Sequence, residues 1–244
     1  MPPAMADAMA KMQAEGAAGE EEPAASAPVV DIEPLQVDRS VLPSGAVLVS
    51  QTNPDSPLTA IHLAVRGRAL LDQDNAVPGA LDVVHRLLNE GIPGCDKPCL
   101  ARRIRELGAV VKLVDNPAYP MDDYYTQPGF SFIRLETAAA YGPEVLDLLL
   151  EVIEFATFDD DAFERVRDER LKALERKTES ARSTANRMLE EVLFGDHPQA
   201  LPPEGDLASL EALDFNQVRT VFRKAFDPSN LIFAVVGPAT HVDL

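Results

Sequence analysis

Little more than one turn of a predicted helix carries three side chains that bear on metal chemistry, Asp82, His85 and Arg86. Carboxylate and imidazole groups bind zinc and transfer protons, and residues at i and i+4 share a helix face, where two ligands can hold one ion. The guanidinium of Arg86 is permanently charged and has no lone pair for a metal. Asp82 and His85 are therefore candidates for metal chemistry, and Arg86 opposes it.

The composition excludes several classes of partner. The chain has 244 residues, of which 46% are hydrophobic and 25% charged, as expected of a soluble globular protein with a sizeable core. Its formal net charge of −18 argues against nucleic acid and anionic membranes, because both would repel it. No apolar run approaches the length of a bilayer span. The N-terminus has no secretory signal pattern, so the compartment, cytoplasmic or periplasmic and cell-envelope, stays open.

The two cysteines, Cys95 and Cys99, are predicted to lie in a loop between helices. They fit two interpretations equally well, incidental thiols or a local disulfide in an oxidising compartment. A metal site would need more ligands than this pair supplies.

The elements that must position these residues indicate an α+β protein. Residues 1–30 are rich in Ala, Glu, Pro and Gly and are predicted to be a disordered or linker segment, followed by one domain over residues 31–244. The patterns predict a first hairpin of strands 35–39 and 46–51, then strand 58–66, helix 78–90 and helix 98–107. Strands 109–114 and 124–136, helix 143–155, a long helix 160–193, two short helices and a last strand 231–236 follow. This order favours a sandwich with a mostly antiparallel sheet.

Several landmarks in this order resemble one αβ repeat unit of the pitrilysin/insulinase and mitochondrial processing peptidase family of zinc metallopeptidases. The resemblance covers about residues 35–244, and its order and spacing make it more specific than any single motif. It implies a metallopeptidase-like αβ sandwich, a mostly antiparallel sheet covered by helices that include one long helix. The landmarks are residues 42–45 (Leu-Pro-Ser-Gly), 65–68, 79–91, 193–198, Gly205, 227–230 and 235–237.

The resemblance also implies where the zinc site of the family would lie. Its helix carries His-x-x-Glu-His, and here Asp82, His85 and Arg86 occupy those three positions. The remaining family ligand is a Glu on the long helix, seven residues after an acidic residue that follows Arg, a pattern that Arg167-Asp168 and Glu175 fit. The alternatives Glu169 and Glu179 stay open, as does the interpretation that all three are solvated. These vestigial positions imply no catalytic residue and no metal ligand.

Two arrangements of the altered residues are possible. Asp82, His85 and Glu175 would supply two carboxylates and an imidazole to a metal. Alternatively, Arg86 pairs with Asp82 at i+4 and with Glu175 across the cleft, so that a fixed cation takes over the charge role of the metal. We expect the second arrangement and therefore no cofactor, with zinc only if the first one holds.

Three functions follow from the resemblance. The first is a catalytically degenerate, non-catalytic subunit or half of a zinc metallopeptidase, which binds peptide or shapes the chamber beside an active homologous unit in the same or another chain. The second is an active metalloendopeptidase with an altered metal site. The third is a stand-alone assembly or interaction protein. We expect the first, with peptide and an active peptidase unit as partners; a second αβ repeat after Leu244 stays open.

In the family, an edge strand after the second helix pairs with the substrate backbone. The resemblance places that candidate peptide-binding edge at Val110, Val111, Lys112 and Leu113. Such pairing needs exposed main-chain groups more than particular side chains, so it can persist after the chemistry is lost. In the alternative interpretation, the insertion at residues 115–129, with its tyrosines, packs over the strand.

Overall fold

A six-stranded mixed sheet forms the centre of the structure, a computed structural model that describes residues 37–68, 71, 77–114, 129–156, 158–178 and 181–238. Its strands in chain order are β1 (Asp38–Val41), β2 (Val47–Thr52), β3 (Leu58–Arg66), β6 (Val110–Lys112), β7 (Phe130–Ala138) and β8 (Leu231–Gly237). A separate two-stranded hairpin consists of β4 (Gly91–Ile92) and β5 (Cys95–Asp96).

The order of strands across the large sheet is β1-β2-β8-β3-β7-β6. The last strand, β8, enters between β2 and β3, parallel to β2 and antiparallel to β3. The remaining neighbours are antiparallel. The predicted α+β class with a mostly antiparallel sheet is confirmed.

Most of the described helices pack against the sheet through one hydrophobic core. Alternate residues of the central strands, such as Ile61, Leu63, Ile133 and Phe233, supply the sheet side of this core, as the two-residue period of a strand requires. The helices of the described residues are α1 (Ala80–Leu87), α2 (Lys97–Glu106), α3 (Gly142–Phe155), α4 (Asp160–Thr178), α5 (Ala181–Phe194), α6 (Leu207–Ala212) and α7 (Phe215–Ala225).

Among the described helices, α1 is the most deeply buried, and it positions Asp82, His85 and Arg86. All of its residues except Arg86 are buried. Gly79 precedes it with a φ of 84°, and a Cβ there would lie 2.7 Å from the main chain of Glu204. The helix approaches both α4 and α7. Polar residues of α1 therefore have to find partners within the protein.

The predicted elements are present with shifted ends. The first hairpin turns at Leu-Pro-Ser-Gly as predicted, but its strands begin at Asp38 and Val47. The predicted long helix begins at Asp160, and its residues form α4 and α5 on either side of residues 179 and 180, which lie outside the description. The strand predicted from 124 begins at Phe130, and residues 115–128 of the insertion lie outside the description.

Cys95 and Cys99 form a disulfide, with their Cα atoms 5.2 Å apart. The prediction that they lie in a loop was wrong. Cys95 is part of strand β5, and Cys99 lies in the first turn of α2, where its N–H donates to the Asp96 side chain. The helical turn brings the two sulfurs together.

The predicted boundary between residues 30 and 31 falls in the segment 1–36, outside the described residues, and stays a prediction. Among the described residues, no helix has the length and apolar character that crossing a membrane would require.

Candidate functional site

A buried ion-pair cluster surrounds Asp82, the first of the three candidate residues. The residue is only 1% exposed. Arg86 donates from Nε to Asp82 Oδ2 at 2.9 Å, so the predicted i+4 pair is present. Arg170 of α4 forms a second ion pair with the same oxygen, with an Nε–Oδ2 distance of 2.8 Å. One buried carboxylate therefore holds two guanidinium groups and ties α1 to α4.

Two further chain segments join this cluster. Arg68, just after β3, is fully buried and donates from Nη2 to the carbonyl oxygen of Pro203 at 2.5 Å. Glu204 in the same loop approaches Arg170, with 3.7 Å between Glu204 Oε2 and Arg170 Nη2. The loop before α6 is thereby held over the N-terminal end of α1.

The electrostatics of the cluster keep Asp82 ionised. Burial alone raises the pKa of Asp82, but the charges of Arg170 and Arg86, the Arg86 hydrogen bond and the charge of Arg68 lower it further than burial raises it. The pKa of Asp82 therefore lies below its usual value of 3.8. Its negative charge is balanced inside the protein rather than by solvent.

His85, in contrast to the ionised Asp82, is held in its neutral form. It is fully buried, and its Nε2 lies 2.8 Å from Oγ of Ser131 on β7, with the ring tilted against Phe226. Burial, and next the positive charge of Arg68, lower the pKa of His85 from 6.5 to about 3. At neutral pH this imidazole carries no charge, and a group with so low a pKa is a weak base.

The residues present do not fit a zinc ion. Two cationic guanidinium groups, those of Arg86 and Arg170, already pair with the carboxylate of Asp82, and guanidinium has no lone pair to donate. His85 directs its Nε2 to Ser131. The part of the chain that the structure describes contains no group of three or more His, Cys, Asp or Glu side chains placed to hold a metal. The cluster supplies fixed positive charge where a metal site would need ligands.

The structure places Glu175 on α4 but not on its buried side. Glu175 and Asp168 are both exposed, whereas Arg170, five residues before Glu175, reaches Asp82. Glu169 is also exposed, and Glu179 lies outside the described residues. The role of Glu175 as a vestigial ligand, and its pairing with Arg86, stay predictions.

Sequence reasoning missed Arg170, although the sequence contains a signal for it. Phe163, Val166 and Leu174 are buried on one face of α4, and Arg170 continues their spacing of three and four residues. A charged residue within an apolar helical stripe indicates a buried ion pair. No helical stripe of this kind marks Arg68 or Ser131.

The candidate peptide-binding residues lie at one margin of the sheet. Val110, Val111 and Lys112 form β6, the last strand in the order, and pair with β7 opposite Glu136, Leu135 and Arg134. Leu113 follows directly. Val110 is 66% exposed. In the described part of the chain, β7 is the strand partner of β6.

No protein-family model matches the chain, but individual proteins do. It is 27% identical over 183 residues to a non-peptidase homolog, YmxG, of Helicobacter pylori, covering 74% of this chain and 39% of that protein. It is 22% identical over 207 residues to an uncharacterized zinc protease of Streptomyces coelicolor, covering 84% of this chain and 42% of the relative. The chain thus spans about two fifths of these relatives.

Solved structures have the same fold. A peptidase M16 inactive domain from Pseudomonas fluorescens superposes with a TM-score of 0.74 at 24% identity, over 86% of this chain and 48% of that one. Pitrilysin superposes with a TM-score of 0.68 at 16% identity, over 87% of this chain and 22% of pitrilysin. Each matched structure extends well beyond the aligned unit.

We predict that Arg170→Met destabilises the protein by about 3 kcal/mol, because it leaves the buried Asp82 with one of its two cations. Methionine keeps most of the apolar stem. The matched control is Arg102→Met, whose pair with Glu106 is more than 60% exposed on both sides and whose loss should cost about 0.5 kcal/mol or less. Urea unfolding at pH 7 measures the free energy of unfolding of both variants. Equal losses in the two variants would contradict a central role for Arg170.

His85 predicts a distinct pH dependence of stability. The unfolded chain takes up a proton at His85 below about pH 6.5, whereas the folded chain excludes it down to about pH 3. Stability should therefore fall as the pH drops from 6.5, by about 1.4 kcal/mol per pH unit once the unfolded imidazole is protonated. Asp82 affects the stability only at lower pH. Because its pKa in the folded protein lies below 3.8, its contribution to the stability is complete above pH 3.8 and is lost as the pH falls below that value.

The measurement compares urea unfolding of the wild type and His85→Gln at several values between pH 4.5 and 7.5. Glutamine can still bond to Ser131 but does not titrate. The difference in slope between the two proteins isolates His85 from the exposed groups. Parallel pH profiles would rule out a buried neutral His85.

Proposed function

We propose that this chain, an αβ unit of the pitrilysin/insulinase family, is a non-catalytic unit that binds and supports a catalytically active homologous unit. The observation that carries the proposal is the Asp82 cluster. Arg86 and Arg170 both pair with the carboxylate at the position where the family would have its first zinc ligand. The carboxylate there is already paired with two cations, and guanidinium groups offer no coordination position.

The state of His85 supports the same conclusion. The resemblance aligns it with the catalytic Glu of the family, which must act on a metal-bound water. A neutral, fully buried imidazole that contacts Ser131 has neither the basicity nor the access to solvent for that role. Peptide hydrolysis by this unit alone is therefore not favoured.

The length of the relatives supports a partner of similar size. The aligned regions cover 39% and 42% of the curated relatives and 48% of the inactive-domain structure, so those proteins carry at least as much chain again. We infer that the partner is a second αβ unit, in the same or another polypeptide, that carries an intact His-x-x-Glu-His helix. A stand-alone assembly protein would need no such partner.

The first test concerns zinc. We predict that the purified chain, loaded with zinc chloride and dialysed, retains less than about 0.1 zinc per chain, because guanidinium groups fill the cluster. A triple variant with Asp82→His, His85→Glu and Arg86→His should still retain no zinc, because Arg170 remains. Adding Arg170→Glu should restore about one zinc. Elemental analysis is the measurement, and circular dichroism checks that each variant folds.

Two results would contradict this account. One zinc in the wild-type chain, lost in Asp82→Ala, would mean that the altered residues still form a metal site. One zinc in the triple variant, lost when Glu175→Gln is added, would assign the third position to Glu175 instead of Arg170. Casein hydrolysis by the wild-type chain would contradict the non-catalytic role.

The margin of the sheet suggests how the unit contacts peptide. β6 is the last strand in the sheet order and Val110 is mostly exposed. We propose that an extended peptide pairs with β6 as an added strand, which uses main-chain groups and needs no catalytic residue. This proposal is supported by the position of β6 at the margin of the sheet, where β7 is its one strand partner within the described residues.

Proline substitutions test this edge. Neighbouring residues of an antiparallel strand direct their N–H groups to opposite sides. Of Val110→Pro and Val111→Pro, one therefore removes a bond to β7 and lowers stability, and the other removes only an outward donor. We predict that the variant with unchanged stability binds fluorescein-labelled β-casein at least fivefold more weakly. Fluorescence anisotropy measures the binding, and wild-type affinity in that variant would eliminate the edge as the peptide site.

A further inference from the structure

Helix α5 exposes an apolar surface that the described residues leave uncovered. Four large side chains on it are more than half exposed: Met188 at 58%, Leu189 at 56%, Val192 at 82% and Leu193 at 65%. Exposed single apolar residues are common, but four on two turns of one helix are not. The helix approaches mainly its neighbours in the chain, α4 and the 3₁₀ turn Pro198–Ala200.

These residues form one continuous stripe. At 100° per residue, the exposed apolar residues of this stripe span about 140° of the helix surface; they are Ala181, Ala185, Met188, Leu189, Val192 and Leu193, here called the α5 face. Arg182, in the first turn, lies within the same arc, two turns before Leu189. The other side of the helix carries Arg187 and Glu191, which form an ion pair at 2.9 Å, together with Glu190. An apolar stripe of this width is the pattern with which a helix packs against a core. The buried core of the described chain nevertheless has no member on α5.

The charges near the stripe argue against two occupants. A helix that lies on an anionic membrane has a polar side rich in Lys and Arg, whereas this one carries Glu190 and Glu191 beside Arg187. A second copy of the chain would bring another −18 of charge to the contact. A partner of different sequence need not carry the same charge.

We propose that the α5 face is the docking surface for the second αβ unit, and that the partner presents a folded apolar surface to it. The inference rests on the proposed function, and it assigns a surface to the partner that the function requires. The matched relatives contain chain well beyond the aligned unit, which provides a body large enough to cover a helix. None of the ion pairs of the Asp82 cluster described above involves a residue of α5, so substitutions on the α5 face leave that cluster in place.

The experiment measures binding to a homologous unit from the same genome that has an intact His-x-x-Glu-His helix, by isothermal titration calorimetry. Leu189→Glu and Val192→Glu are combined in one variant, and Leu150→Glu on the exposed side of α3, 38% exposed, is the matched control. We expect the double variant to bind at least tenfold more weakly and the control to bind within twofold of wild type, because only the former places charge in a buried contact. Circular dichroism melting confirms that both variants fold, as expected for exposed positions.

Each result decides one question. Binding of wild type and double variant with equal affinity would overturn the α5 face while leaving the proposed function intact. No binding of the wild type would overturn the proposed function and this inference with it. Light scattering that shows a dimer of the chain alone, lost in the double variant, would assign the face to a second copy. Flotation with phosphatidylcholine and phosphatidylglycerol vesicles would assign it to a membrane.

Discussion

The site depends on one constraint, the negative charge of Asp82 inside the protein. An ionised carboxylate removed from water has to be paired, or it loses its charge. Asp82 is paired twice, by Arg86 from its own helix and by Arg170 from α4. This requirement fixes how α1 lies against α4. It also explains why an otherwise apolar helical stripe contains an arginine.

The same cluster shows how two helices can be joined without a metal ion. A metal ion can join two helices because its positive charge is shared among donors from both. Here guanidinium groups provide positive charge at the junction, but their charge is permanent and they offer no exchangeable position to water or substrate. Arg68 and the loop at Pro203 complete the enclosure. The arrangement can support structure but has no route to an activated water.

Much of the fold could be predicted from the sequence, and the reasons are local. The spacing of apolar residues locates α1, the Leu-Pro-Ser-Gly turn locates the first hairpin, and Gly79 marks the beginning of the helix. The Asp82–Arg86 pair follows from helical spacing alone. Arg170 needed a long-range contact, which one sequence does not specify, although its place in an apolar stripe hinted at burial. The sequence also gave no indication that Cys95 belongs to a strand, because a two-residue strand has no periodicity.

The strand order could not be predicted either, and it affects how the protein is made. β8, near the end of the described chain, separates β2 and β3 in the sheet. At ~5–20 residues per second, the ribosome needs roughly ten to thirty seconds to pass from the end of β3 to β8. During that interval the nascent chain has two strands with unsatisfied edges on either side of a missing one, which are targets for pairing with other chains. Any premature stop before Leu231 would make that exposure permanent, so truncated products of this chain should be handled by chaperones or proteases instead of folding.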